Sequence, residues 1–133
     1  MKKTFHILLF LSTCLLLMAF QCEDDDNPVD PCENTTSYLN ELKTEIEDLA
    51  SASVCSENFE CRFIAFGSKP CGGPWSYLTY STSIDTLQLT NLVATYNTEQ
   101  ESFNTSCNTV SDCAFVTPPT AMECENNICI PVY

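Results

Sequence analysis

The chain reads as an α+β domain in which a small antiparallel sheet packs against two helices and disulfides hold the whole together. Three observations predict this class. Two apolar stripes of helical period stand on either side of a pair of short strand-like segments. The C-terminal region is again strand-like and contains an Asn-Asn turn signal. Ten cysteines occur in 133 residues, eight of them beyond residue 31, and an even set in an exported chain is a disulfide framework. The order helix, two strands, helix, then two or three strands keeps helices and sheet apart, as α+β domains do.

Residues 1–21 form a leader. Lys2 and Lys3 precede an apolar run from Phe5 to Phe20, broken only by His6, Ser12 and Thr13. This is the charge-then-apolar pattern of a secretory signal, and it is shorter than the stretch of about 20 apolar residues that a membrane span needs. Cys22 follows at once, and Glu23, Asp24, Asp25 and Asp26 come after it. A cysteine so placed, with Gln21 before it and an acidic cluster behind, resembles the processing site of Bacteroidetes-type bacterial lipoproteins. Leu11-Ser12-Thr13-Cys14 is nearer the usual box, but cleavage there would leave Leu15 to Phe20 as an exposed apolar stub. The resemblance implies an acylated Cys22, the membrane as a partner through that anchor, and a place in the cell envelope on the outer face of the outer membrane.

Residues 22–31 then read as a self-repelling acidic tether in which Pro28 and Pro31 disfavour helix. Asp24, Asp26 and Asp30 could ligate calcium, but the turn glycine and distal glutamate of a calcium loop are missing. Residues 32–133 are the ectodomain.

With Cys14 discarded and Cys22 acylated, Cys32, Cys55, Cys61, Cys71, Cys107, Cys113, Cys124 and Cys129 remain for four bridges. No CxxC pair is present and the single histidine, His6, lies in the leader, so disulfides are favoured over a zinc site and no metal is expected. A two-residue Asn126-Asn127 turn would set Cys124 opposite Cys129 at a spacing that suits a cross-strand bridge. Pairing of either cysteine with Cys113 or Cys61 stays open.

Leu39, Leu42, Ile46 and Leu49 mark a first amphipathic helix over Ser37 to Ala50, entered through Thr35 and Thr36. A second runs from Thr86 to Asn104 with Leu89, Leu92, Val93, Tyr96 and Phe103 on its apolar face and Asp85 with Gln88 at its start. Asp85-Thr86-Leu87 also resembles a short O-glycosylation sequon of exported bacterial proteins, although capping alone accounts for Asp85. Strands are expected at Cys61 to Phe66, Tyr77 to Ser81 and Cys113 to Thr117, with a hairpin from Ala121 to Tyr133.

All three glycines and the only tryptophan lie in Gly67-Ser68-Lys69-Pro70-Cys71-Gly72-Gly73-Pro74-Trp75, between two expected strands. Such a concentration calls for positive φ or close approach of the backbone, and two prolines with a bridged Cys71 would stiffen the loop. Lys69, Gly72, Gly73 and Trp75 are the candidate binding residues, set against a packed corner in which Trp75 only covers the sheet. Two special cases are an anion site at the Gly72-Gly73 amides and a disulfide-braced inhibitory loop for proteases. The stretch CRFIAFGSKPCGGPWSYLTYS, with the later SDCAFVTPP and the closing cysteines, resembles a group of small secreted or lipid-anchored bacterial proteins. That resemblance implies a shared fold and no activity.

Charge and residue types exclude several functions. With Lys2 and Lys3 in the leader, only Lys43, Arg62 and Lys69 face 18 acidic side chains, so no nucleic-acid partner is expected. The mature chain has no histidine and bridged cysteines are not thiolate nucleophiles, so no enzyme is expected. Glu57 with Glu60 and Glu123 with Glu125 are left as ordinary solvated carboxylates, and no cofactor motif is present. The expectation is a lipid-anchored, non-catalytic binding module for a protein or glycan partner, with a purely structural envelope component as the alternative.

Overall fold

A computed structural model describes residues 30–133; the leader, Cys22 and nearly all of the tether lie outside them. The element order is α1 (Pro31–Ser51), β1 (Cys61–Phe66), β2 (Ser76–Ser81), α2 (Thr86–Ser106), β3 (Ala121–Glu125) and β4 (Ile128–Val132). The α+β class is as expected, but the strands form two separate antiparallel hairpins, β1-β2 and β3-β4, instead of one sheet.

Helix α1 starts two turns earlier than the apolar stripe indicates. Asp30 caps it by accepting from the Cys32 N–H at 2.9 Å, and Pro31 occupies the first helical position. A proline there loses no hydrogen bond, since its missing N–H would have had no partner. Pro31 therefore begins a helix that it was expected to oppose. Thr35 and Thr36, expected as caps, instead donate their hydroxyls back to the Pro31 and Cys32 carbonyls. Helix α2 starts where expected, with the Asp85 carboxylate accepting from the Gln88 N–H at 2.9 Å.

The core lies between the helices and the β1-β2 ribbon. Leu39, Leu42, Ile46 and Ala50 of α1 meet Leu89, Val93 and Tyr96 of α2, and Phe66 and Tyr80 close the third side. Phe66 and Tyr96 stack at 4.9 Å between ring centroids. At about 25 cal/mol per Å² of apolar surface removed from water, side chains of this size contribute roughly 1.5–3 kcal/mol each. Below the core, the fully buried Ser81 takes the place of an apolar residue. Its hydroxyl donates to the Val54 carbonyl at 2.6 Å and its N–H donates to the Ser53 hydroxyl at 3.0 Å, tying the α1–β1 connection to the end of β2.

All eight cysteines are bridged, as Cys32–Cys107, Cys55–Cys124, Cys61–Cys129 and Cys71–Cys113. The expected register of the last hairpin is present: Asn126 and Asn127 both have positive φ, and Cys124 faces Cys129. The bridge expected between them is not. Both cysteines lie beside the α1–β1 region and bond across to it, so the hairpin that could have closed on itself is stapled to the rest of the domain. The strand expected at Cys113 to Thr117 is also absent. Cys113 has φ +54, outside the extended region, and its bridge to Cys71 holds this segment as irregular chain ahead of Pro118-Pro119.

Candidate functional site

The loop between β1 and β2 is held from below by one face of α2. Asn97, Gln100 and Asn104 recur at three- and four-residue spacing, which places them in line along the helix. Asn97 Oδ1 accepts from the Gly67 N–H at 2.7 Å while its Nδ2 donates to the Ala65 carbonyl at 3.0 Å. Gln100 Oε1 accepts from the Ser68 N–H at 2.6 Å, and Asn104 Nδ2 donates to the Ser68 carbonyl at 2.8 Å. Three amides thus satisfy four backbone groups where the strand ends and its ladder stops. Gly67 is required at the centre of this grip. Its φ is +81, and a Cβ there would stand 2.8 Å from Trp75 Cδ1 and 2.9 Å from Gln100 Oε1.

Lys69 is placed quite differently from a projecting cation. It is 6% exposed, and its Nζ donates to the Ala114 carbonyl at 2.6 Å. The same ammonium sits 3.4 Å from Asp112 Oδ1 and 5.0 Å from the centre of the Trp75 ring. The Ala114 N–H donates to Asp112, and this bond first, with Lys69 second, holds the Asp112 carboxyl below the usual range. Lys69 therefore fastens the irregular 108–119 segment to the loop and is not presented as an inhibitory loop would require.

Gly72 and Gly73 lie at the tip with φ +90 and +81 and open space around them. The Gly72 N–H donates to the Lys69 carbonyl at 2.8 Å, closing a turn with Pro70 in its second position. That amide is committed and the Lys69 ammonium points elsewhere, so the pieces of the anion site are not brought together. A hollow of about 600 Å³ beside the tip is walled by Glu101 of α2, an unfavourable neighbour for an anion.

Trp75 is the one loop candidate that remains available. It is 42% exposed, yet its ring is fixed by the Lys69 ammonium and by the close approach of Gly67. Two adjoining hollows of about 420 and 240 Å³ share Trp75, Asn40, Tyr96 and Gln100. The larger also takes in the Lys43–Glu47 ion pair on α1. Tyr96 is buried among these residues, and its hydroxyl accepts from Gln100 Nε2 at 3.2 Å, which leaves its own proton for an acceptor in the hollow. Burial raises the phenol above its ordinary range, the Gln100 bond opposes this, and the Glu47 charge adds to it, so the hydroxyl stays a donor. Asn40 and Gln100 were not singled out from sequence, and Tyr96 was read only as part of the apolar face of α2; the amide repeat on α2 was the available signal.

Cys22 lies outside the described residues. Among the described residues no helix is long and apolar enough to cross a membrane. Four bridges mark a domain that folds in an oxidising, extracytoplasmic setting. No protein-family model, curated protein or solved structure matches the chain.

Proposed function

We propose that the chain is an envelope lipoprotein, anchored through Cys22 and spaced from the membrane by its acidic tether, whose ectodomain is a non-catalytic binding module. The observation that carries the binding reading is the fixed, half-exposed Trp75 on the wall of a polar hollow between α1 and α2. An exposed aromatic held in place before binding has little ordering cost left. Of the two partner classes, a glycan fits this hollow better than a protein surface. Its volume of about 420 Å³ falls in the range of small-ligand sites, roughly 300–1,000 Å³. Its lining offers what a sugar ring requires: an aromatic face for the apolar side, and amide, phenol, ammonium and carboxylate groups for the hydroxyls.

Trp75 is the sole tryptophan, so its fluorescence reports occupancy directly. Titration with soluble envelope oligosaccharides should give a saturable change that Asn40→Ala weakens and Trp75→Ala, followed by calorimetry, abolishes. Saturable binding left intact in Trp75→Ala would remove this hollow from consideration, and a failure of every glycan would favour the structural-component reading. For the anchor, mass spectrometry of membrane fractions should find an acylated peptide beginning at Cys22. A peptide retaining Met1 would sink that assignment.

A further inference from the structure

Two bridges that lie far apart in sequence meet at one point. The sulfur atoms of Cys55, Cys61 and Cys129 all fall within 4.8 Å of one another, and Cys124 is bonded to Cys55. The four cysteines differ in access. Cys55 and Cys129 are buried, Cys61 is half-buried and Cys124 is exposed. Cys124 also faces Cys129 directly across the β3-β4 hairpin. The pair next to the turn, Glu125 with Ile128, is the hydrogen-bonded one, so Cys124 with Cys129 is a non-hydrogen-bonded pair, with Cα atoms about 4.5 Å apart. That separation lies within the disulfide range.

We infer that this cluster is a thiol–disulfide exchange site, entered by an external thiol at Cys124, which converts Cys55–Cys124 and Cys61–Cys129 into Cys55–Cys61 and Cys124–Cys129. The external thiolate attacks Cys124 Sγ, forms a mixed disulfide there and expels Cys55 as a thiolate. Cys55 attacks the neighbouring Cys61 Sγ, forms the Cys55–Cys61 bond and releases the Cys129 thiolate. Cys129 then attacks Cys124 Sγ across the hairpin and expels the external thiolate unchanged. Two disulfides are broken and two are made, the thiol is returned, and nothing is oxidised or reduced overall. Attack on Cys61 is the productive choice because it frees the one thiolate that faces Cys124 in the register.

The consequence is structural. Both original bridges join the last hairpin to the α1–β1 region across sequence separations of 69 and 68. Both new bridges are local, closing only the short stretches Cys55 to Cys61 and Cys124 to Cys129. The hairpin is then no longer cross-linked to the helical core and is joined to it by the backbone of the 107–120 segment alone, while keeping its own strand pairing. Cys71–Cys113 is exposed at both ends but is not part of the sulfur cluster, so an external thiol opens it without relay.

The full chain is tested by adding reduced glutathione in substoichiometric amount to the oxidised protein at neutral pH, followed by acid quench and alkylation. Digestion after glutamate and arginine separates all four cysteines from one another and from Cys71, because Glu57 and Glu60 lie between Cys55 and Cys61, Arg62 follows Cys61, and Glu123 and Glu125 bracket Cys124. Non-reducing mass spectrometry should show the Cys55–Cys61 and Cys124–Cys129 peptides arising in equal amount, with more chains converted than thiol molecules added. Cys32–Cys107 should acquire no new partner. Formation of Cys55–Cys129 with Cys61–Cys124, crossed peptides that include Cys32 or Cys107, or simple loss of bridges without new pairs would each overturn the inference. In Cys61→Ser/Cys129→Ser the acceptor bridge is gone, and the same treatment should stop at the glutathione adduct on Cys124; isomer formation there is impossible, and absence of the adduct would show that Cys124 is not the point of entry.

Discussion

Replacing Lys69 by methionine keeps most of the apolar stem and deletes the ammonium. The wild-type group donates to the Ala114 carbonyl at 2.6 Å, pairs with a largely exposed Asp112 and lies 5.0 Å from the Trp75 ring centre. A hydrogen bond from a charged donor contributes about 1.5–3 kcal/mol and the ring about 0.5–1 kcal/mol, while an ion pair whose carboxylate stands in water adds little. One ammonium makes all three contacts, so they do not add in full, and a loss of about 2–3 kcal/mol is expected. In a domain of about 100 residues each kcal/mol moves the melting midpoint by about 4–8 °C, so Lys69→Met should melt roughly 10–20 °C lower. Circular dichroism measures the midpoint, and thermolysin measures the local effect, since Phe115 is 85% exposed in the segment that Lys69 fastens. Cleavage there should accelerate before the domain melts. A midpoint within about 2 °C of wild type, with unchanged proteolysis, would refute the fastening role and return Lys69 to the list of groups free for a partner.

Gly67→Ala should cost at least about 2 kcal/mol in chemical denaturation, because strained φ and overpacking act together there, whereas Gly72→Ala, with open space around it, should cost about 1 kcal/mol; equal losses would count against the close approach of Trp75. Asn97→Ala removes two hydrogen bonds at the end of β1, and a fall of about 1–3 kcal/mol is expected, with faster amide exchange at Gly67 as the local readout. The Asp112 carboxyl titrates lower in the folded state than in the unfolded one. Its contribution is therefore complete above the unfolded value of about 3.9 and is lost as pH falls through the lower folded value. A melting series in acid should show this loss in wild type and not in Asp112→Asn. Thiol titration of the denatured, unreduced domain should find none of the eight bridged cysteines free.

The helices, the strands β1 and β2 and the last hairpin were legible because each rests on a local rule: an apolar stripe of period 3.6, a short apolar run, or an Asn-Asn turn that fixes register; that the strands divide into two hairpins and not one sheet was not. Pro31 was misread because the same missing N–H that breaks a helix interior is harmless at its first position, and only the Asp30 cap distinguishes the two cases. The Cys124–Cys129 pairing failed for a different reason. Register places the two sulfurs on one side of the hairpin, but what they bond to depends on which element packs against that side. The same applies to Lys69, whose burial depends on a segment that begins some forty residues later in the chain. Of the four loop candidates, Trp75 alone lines the hollow as an available group, and its neighbours come from helix faces whose amides look, in sequence, like ordinary solvated positions.

The Cys32–Cys107 bridge has a mechanical meaning. Cys32 is the second residue of α1 and Cys107 caps the end of α2, with a Cα separation of 5.9 Å. Tension applied to the chain ahead of Asp30 enters α1 for a single residue before it reaches a covalent junction that divides it between both helices. Peeling α1 from its N-terminus, one hydrogen bond at a time, is the weak mode of a tethered helix, and this junction closes it off. Load is borne instead by shear along the whole α1–α2 seam, where the Leu39, Leu42, Ile46, Leu89 and Val93 contacts must give way together.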